Sequence, residues 1–512
     1  MAGIGFSLKK LFKKKGILNL CKAYGYAGVV TTGPLLLGVL LLAGIAFIGR
    51  IGGIDNHNRE LLNCMLTYSL LASLTVTSWF NMASSRFISD MIYEEKEEKV
   101  MPSFYGNVAI MLVICVLTYG TFLHFAGITL LQQILCLWFS LIMVVVWTET
   151  LYLTALKDYK AIVLSYTISL LLGFLIAIIF VLTGHARLET MLFSMILSYG
   201  MLAARYQKLM LDYFPKAEGS CFSFLRWFER YRLLSLTGGF VNIGLFSHII
   251  IQYIQYIGAP LAEQVQGLFW GAPEYDVPAL WAFFSLLITT VNFVTSVEVE
   301  FYPKYANYYG LFNDRGTILD IKQAEVEMRT VLWQELTYAG IKQLFSTIMF
   351  IILGTPILQT LLGLSSLALS IFRFLCVGYG AYALGNSTML LLLYFEDYHG
   401  AFIGSLIFSG IATAATIIQV RFGHTAYFGL GFFFGAIAFF FFSVLRLNWY
   451  TKRLPYFLLA QQSFLPKRER GLLVWISETL DNRADRIAEK ERERREKEAA
   501  ALAEQQEGAS QS

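Results

Sequence analysis

The residues of this chain that could do chemistry are a few polar side chains set in long apolar stretches. An ionisable group at membrane depth is costly unless it faces a cavity or a partner, so such groups mark substrate and ion paths. Arg86 stands with Asn81, Ser84 and Ser85. Glu149 lies in VVVWTETLYL. Asn242 and His248 share one stretch, and Asn292, Thr295, Glu298 and Glu300 share another. Arg373 and Asn386 share a third. Each also has a purely structural reading. Arg86, Glu298 and Glu300 are near enough to a stretch end to snorkel to an interface. His248 fits a hydrogen-bonded packing residue, and Arg373 and Glu149 fit ion-pair members whose partners the sequence does not name. Gly33-Pro34 reads as a helix kink, because Pro removes a backbone hydrogen bond and Gly eases bending. Gly354 and Pro356 repeat that pattern.

Other chemistry lacks its motifs. There is no phosphate-binding loop, zinc signature, nucleophile elbow or dinucleotide fingerprint. The six His are scattered singly, and the six Cys have no ligand or disulfide spacing. The expectation is a chain that moves a solute rather than converting one, with no enzymatic activity, no cofactor and no metal. Nucleic acid is a poor partner, since no basic patch sits on a soluble domain.

The elements that position these groups are twelve apolar stretches, near 27–48, 61–82, 103–125, 130–153, 161–183, 189–204, 233–256, 279–299, 339–362, 367–394, 401–420 and 425–445. About 20 apolar residues in a helix cross a bilayer core. The chain is 56% hydrophobic and 15% charged. Of 40 Lys and Arg, 35 fall on the side of the N-terminus and 5 on the other. Positive charge stays inside, which predicts a multi-pass membrane protein with both termini cytoplasmic. The fold class is all-α: about twelve transmembrane helices in two six-helix bundles around a central cavity.

The expected domains are a cytoplasmic amphipathic segment 1–26, a first bundle 27–204, a cytoplasmic loop 205–232, a second bundle 233–446 and a charged cytoplasmic tail 447–512. Basic groups on the inner face attract anionic lipid. The loop 205–232 interleaves Phe222, Phe224, Trp227, Phe228 and Tyr231 with Arg226, Arg230 and Arg232. Aromatic and Arg residues together compose interface hot spots, so Trp227 and Arg230 are candidates for docking a partner. The tail from Asp481 has opposite charges at i,i+4 but no apolar stripe, which predicts a solvated helix.

Three segments resemble one family. MAGIGF with a Leu/Lys-rich stretch leads into Ala23-Tyr24-Gly25-Tyr26-Ala27-Gly28 and Gly33-Pro34. Asn242-Ile243-Gly244 is the second. Tyr275-Asp276-Val277-Pro278, followed by Val297-Glu298-Val299-Glu300-Phe301-Tyr302, is the third. Together they resemble PelG, the membrane transporter family of Pel exopolysaccharide biosynthesis, over about residues 1–450. An acidic–basic pair that follows Asn-x-Gly in that family is replaced here by Ser247-His248. The resemblance implies the multidrug/oligosaccharidyl-lipid/polysaccharide exporter superfamily, with two six-helix bundles and alternating access. It implies export of an amino-sugar polysaccharide across the bacterial cytoplasmic membrane. It also implies a complex with a cytoplasmic glycosyltransferase and further membrane subunits, one of which reads cyclic di-GMP. Two other readings remain beside it: a flippase for lipid-linked oligosaccharide, and a membrane scaffold for the transferase. A buried diphosphate would call for several Arg or Lys, and only Arg373 and Arg86 stand among the candidates.

Overall fold

The computed structural model describes residues 36–154, 159–313, 316–461, 471–483 and 486–487. Among the described residues, each of the twelve apolar stretches carries a helix. They are α1 (Leu36–Ile51), α2 (Asn56–Tyr93), α3 (Glu97–Phe125), α4 (Leu130–Thr154), α5 (Tyr159–Leu182) and α6 (Leu188–Tyr213). Then come α7 (Arg232–Ile250), α8 (Pro273–Phe283 and its continuation), α9 (Ile318–Leu362), α10 (Ser366–Tyr394), α11 (Tyr398–Phe422) and α12 (Leu430–Thr451). Among the described residues, ten helices are long and apolar enough to cross a membrane, and α1 is a shorter apolar helix. The protein is an all-α membrane protein. Gly33 and Pro34 lie outside the described residues, as do the lysines before them and most of the charged tail.

Two apolar cores divide the helices. One runs from Leu41 to Phe228. The other is built from α7–α12, with a smaller satellite around Phe301, Tyr308 and Leu447. Close packing across the seam depends on small residues, as is usual where lipid removes the hydrophobic drive for helix association. A Cβ on Gly238 would collide with the Ser78 carbonyl, and one on Gly239 with the Trp79 ring. Only glycine lets α7 approach α2 this closely.

Several helices depart from the simple pattern. α3 carries a π turn at Val116–Gly120. α8 is broken: Pro273–Phe283 passes through a 3₁₀ turn, Phe284–Leu286, into Leu287–Ser296, a π turn at Val297–Phe301 and a last helix, Tyr302–Asn313. Such interruptions release backbone groups where a helix bends or lines a cavity. The connection before 339 is helical, since α9 runs 45 residues from a Thr317–Asp320 capping box to Gly363. α9 continues through Pro356.

The connection 205–232 also contains helix. α6 extends to Tyr213, and a short helix covers Leu225–Arg230. Residues 472–483 form a further helix that lies on this connection. There Leu473 and Ile476 pack against the first core. The Ser477 hydroxyl donates to the Phe222 carbonyl at 3.0 Å, and the Leu473 amide donates to Glu229 Oε2 at 3.2 Å. The start of the tail region is thus anchored by apolar side chains that precede its charged run.

Between α7 and α8 a hairpin forms from β1 (Glu263–Gln266) and β2 (Phe269–Gly271). Its turn residue Gly267 has φ +56, and a Cβ there would collide with the Ala126 carbonyl. The hairpin belongs to the second half of the chain, yet Phe269 is buried in the first core.

Candidate functional site: the seam between the two halves

α2 is the element of the first half that meets the second along its length. Two polar fastenings hold it there. They centre on Tyr68 and Arg86, about 27 Å apart on one helix at 1.5 Å per residue.

At the Tyr68 end, the hydroxyl donates to the Trp270 carbonyl at 3.0 Å and accepts from the Trp270 amide at 3.3 Å. The Tyr68 ring stacks on Tyr253 at 5.5 Å and on Phe122 at 5.6 Å. The Leu268 amide donates to the Ala126 carbonyl at 3.0 Å. Behind Tyr253 lies Asp276, in the first turn of α8. Its carboxylate accepts from the Tyr253 hydroxyl at 2.9 Å and from the Ala272 amide at 3.0 Å.

At the other end, Arg86 Nε pairs with Asp90 one turn along α2 at 3.0 Å. Its Nη1 reaches Glu396 at 3.1 Å and the Tyr398 hydroxyl at 3.3 Å. The guanidinium lies over the Tyr231 ring at 5.3 Å. The Trp227 indole donates to Asp90 Oδ2 at 2.8 Å, and its ring meets Phe87 edge-on. Glu396 occupies the left-handed region, φ +61, in the turn after α10. The next residue, Asp397, takes two bonds from Arg446, at 2.6 and 2.9 Å. That bidentate pair fixes the turn presenting Glu396.

Aromatic side chains crowd the Arg86 end. The rings of Tyr305 and Tyr309 lie 4.3 Å apart, Tyr302 stacks near Tyr305, and the Tyr305 hydroxyl donates to the Tyr394 carbonyl at 3.0 Å. Tyr302 is exposed. This cluster stands on the last part of α8, directly after the π turn that carries Glu298 and Glu300; Glu300 is exposed.

The other candidates do not converge on the seam fastenings. His248 is wholly buried in the second half. Its Nδ1 is 2.7 Å from the Tyr275 hydroxyl and its Nε2 is 3.2 Å from the Tyr379 hydroxyl, with Phe432 against the ring. A neutral imidazole can donate to one tyrosine and accept from the other. Glu149 is 1% exposed in the first half, and its Oε2 has no hydrogen-bond partner among the described residues. The buried Tyr206 hydroxyl also has no partner among the described residues and lies within its electrostatic reach. Asn242 and Asn386 are half-buried. Arg373 is exposed, with a long 3.5 Å contact from Nε to the Thr355 hydroxyl. Arg230 is exposed and lies over Tyr231.

Sequence reading missed the partners Asp90, Glu396, Tyr398 and Tyr68, and the half-buried Asp276. Asp276 was visible as a charge inside a motif. The others sit at stretch ends, where charged and aromatic residues are ordinary. Among the described residues, no three His, Cys, Asp or Glu side chains gather as a metal site.

The PelG family model, that of an exopolysaccharide exporter (EPS-E), matches residues 1–458. The chain belongs to the PelG family. Its fold is that of solved transporters. A variant of the Vibrio cholerae MATE transporter VcmN has a TM-score of 0.59 at 11% identity, over 88% of this chain and 99% of that one. A MOP superfamily transporter from Pyrococcus furiosus has a TM-score of 0.56 at 12% identity, over 84% of this chain and 95% of that one. At such identities the likeness is one of fold. No curated protein matches the chain. Family and fold are those of transporters and not of enzymes.

Proposed function

We propose that this PelG-family transporter passes a neutral or weakly charged amino-sugar polymer of the Pel type across the bacterial cytoplasmic membrane by alternating access. One observation carries the reading. Both fastenings lie on α2, at opposite ends of the same seam, and each is made of bonds that a small separation would break. Releasing one while keeping the other would open the seam on one side only. With both termini cytoplasmic, as the charge asymmetry favours, the Arg86 end is the inner mouth. Tyr302, Tyr305 and Tyr309 then offer ring faces beside the point where a polymer would arrive. In this reading residues 27–204 and 233–446 are the two moving bundles, and a cytoplasmic glycosyltransferase supplies the chain.

The test is uptake of fluorescent N-acetylhexosamine oligomers into inverted membrane vesicles holding the protein, compared with Arg86→Gln and Tyr68→Phe variants. Uptake by the native protein and its change in both variants would support the reading. A protein that retains its transferase but moves no oligomer would be a scaffold.

A further inference from the structure

The helix Tyr302–Asn313 carries two kinds of aromatic residue. Tyr308, with Phe301 just before the helix, is buried in the small core beside Met328 and Leu332. Tyr302, Tyr305 and Tyr309 follow at i, i+3 and i+7, so they form a separate stripe. It runs about 10 Å along the helix. Tyr305 is its middle ring, stacked with Tyr302 at 6.3 Å and 4.3 Å from Tyr309. Its bond to the Tyr394 carbonyl fixes that ring in place. Tyr302 ends the stack and is 37% exposed. The stripe is thus a rigid aromatic platform with an open ring at one end.

Glu396 stands beside this platform, within electrostatic reach of the Tyr305 and Tyr309 hydroxyls. Its Oε1 takes Arg86 Nη1, yet the side chain is 43% exposed. The turn that presents it is held in the left-handed region at φ +61, with Arg446 clamping the next residue, Asp397. A non-glycine residue kept in that region costs backbone energy, and such outliers gather at ligand clamps and switches. An aromatic face suits the C–H face of a sugar ring, and a carboxylate at its rim accepts from hydroxyl and amide N–H donors. The same carboxylate repels an anionic lipid headgroup.

We infer that Tyr302, Tyr305 and Tyr309 form with Glu396 a binding subsite for neutral N-acetylhexosamine units, in which sugar hydroxyls take the place of Arg86 on Glu396. The inference rests on the transport reading and adds to it the residue that links arrival of the polymer to release of the inner fastening. Sugar and guanidinium compete for one carboxylate. By linkage, bound sugar weakens the tie between the halves, and loss of Arg86 strengthens sugar binding by the same factor.

The test is calorimetric titration of the full-length protein in lipid nanodiscs with the N-acetylhexosamine oligomers used for uptake. Glu396→Ala should weaken binding about tenfold, because charge-assisted bonds are lost. Tyr302→Ala should weaken it about fivefold through loss of the open ring, at an unchanged melting temperature. Arg86→Gln should tighten it about fivefold while slowing uptake. A purely structural Arg86 would leave affinity unchanged or lower it, and either result overturns the proposal. So does failure of the native protein to bind oligomer, or unchanged affinity in Tyr302→Ala. If Glu396→Ala or Arg86→Gln fails to fold, the Tyr302→Ala result decides alone. Uptake into inverted vesicles with affinity unchanged in Tyr302→Ala overturns the subsite and keeps the transporter. Affinities that change as expected without any uptake support the subsite and overturn the transport reading.

Discussion

Arg86 and Glu396 lie 310 positions apart in the chain and 3.1 Å apart in the fold. Their ion pair joins the end of α2 to the turn between α10 and α11, so it ties one half of the transporter to the other. Both side chains are about a third or more exposed, and exposed pairs contribute only ~0–1 kcal/mol. The pair is therefore suited to fastening a moving seam rather than to holding the fold.

Glu396→Gln should lower the melting temperature by a degree or two at most and change export several-fold. Arg86→Gln should act more strongly, since it also abandons Asp90 and Tyr398. The exchange Arg86→Glu with Glu396→Arg should recover part of the export lost in either single exchange. Export measured for all four proteins checks this, and four equal rates would remove the pair from the transport cycle.

At the opposite fastening, Tyr68→Phe removes both bonds to the Trp270 backbone. The loss is about 1–2 kcal/mol, because a half-buried amide and carbonyl are left unpaired. Cys64 lies one turn away, its sulfur 3.3 Å from where a Cβ on Gly271 would stand. Its rate of reaction with a membrane-impermeant thiol reagent should rise at least threefold in Tyr68→Phe. No change in labelling would mean that the hairpin stays closed without this tyrosine.

His248 is placed to hold the second half together. His248→Ala would open a cavity and orphan the hydroxyls of Tyr275 and Tyr379, a cost of about 3–5 kcal/mol. The protein should melt at least 8 °C lower or fail to accumulate. A variant that melts normally but does not export would instead give His248 a part in transport.

Trp227 and Arg230 remain proposed contacts for the glycosyltransferase, with one difference in expected behaviour. Arg230→Ala should lower co-purification of the transferase at normal protein levels. Trp227→Ala should also loosen the Arg86 end, since its indole bonds Asp90. Truncation after 487 should leave association intact, whereas truncation after 470 should lower it, because helix 472–483 covers Phe222 and Glu229. Pull-down of the transferase by each form distinguishes these. Equal recovery with Arg230→Ala and after both truncations would place the interface elsewhere.

The sequence by itself determined the membrane class, the twelve helices and the family. The reason is that bilayer thickness acts on contiguous residues: a run of about 20 apolar residues is legible without knowing any partner. It also indicated which polar groups were worth watching, and Arg86 and His248 proved to hold specific contacts. It did not reveal what they contact. Arg86 is completed by a residue from a distant turn, His248 by tyrosines on α8 and α10, and Tyr68 by a backbone strand of the other half. Nor did it show that Tyr305 and Tyr309 stand beside Glu396, because tyrosines at the end of an apolar run fit an interfacial belt wherever they point. Such pairings depend on which helix faces meet, and that is set by small residues such as Gly238 and Gly239 allowing close approach. Tertiary packing decided them, since the chemistry of each site is shared between segments that one-dimensional patterns treat separately.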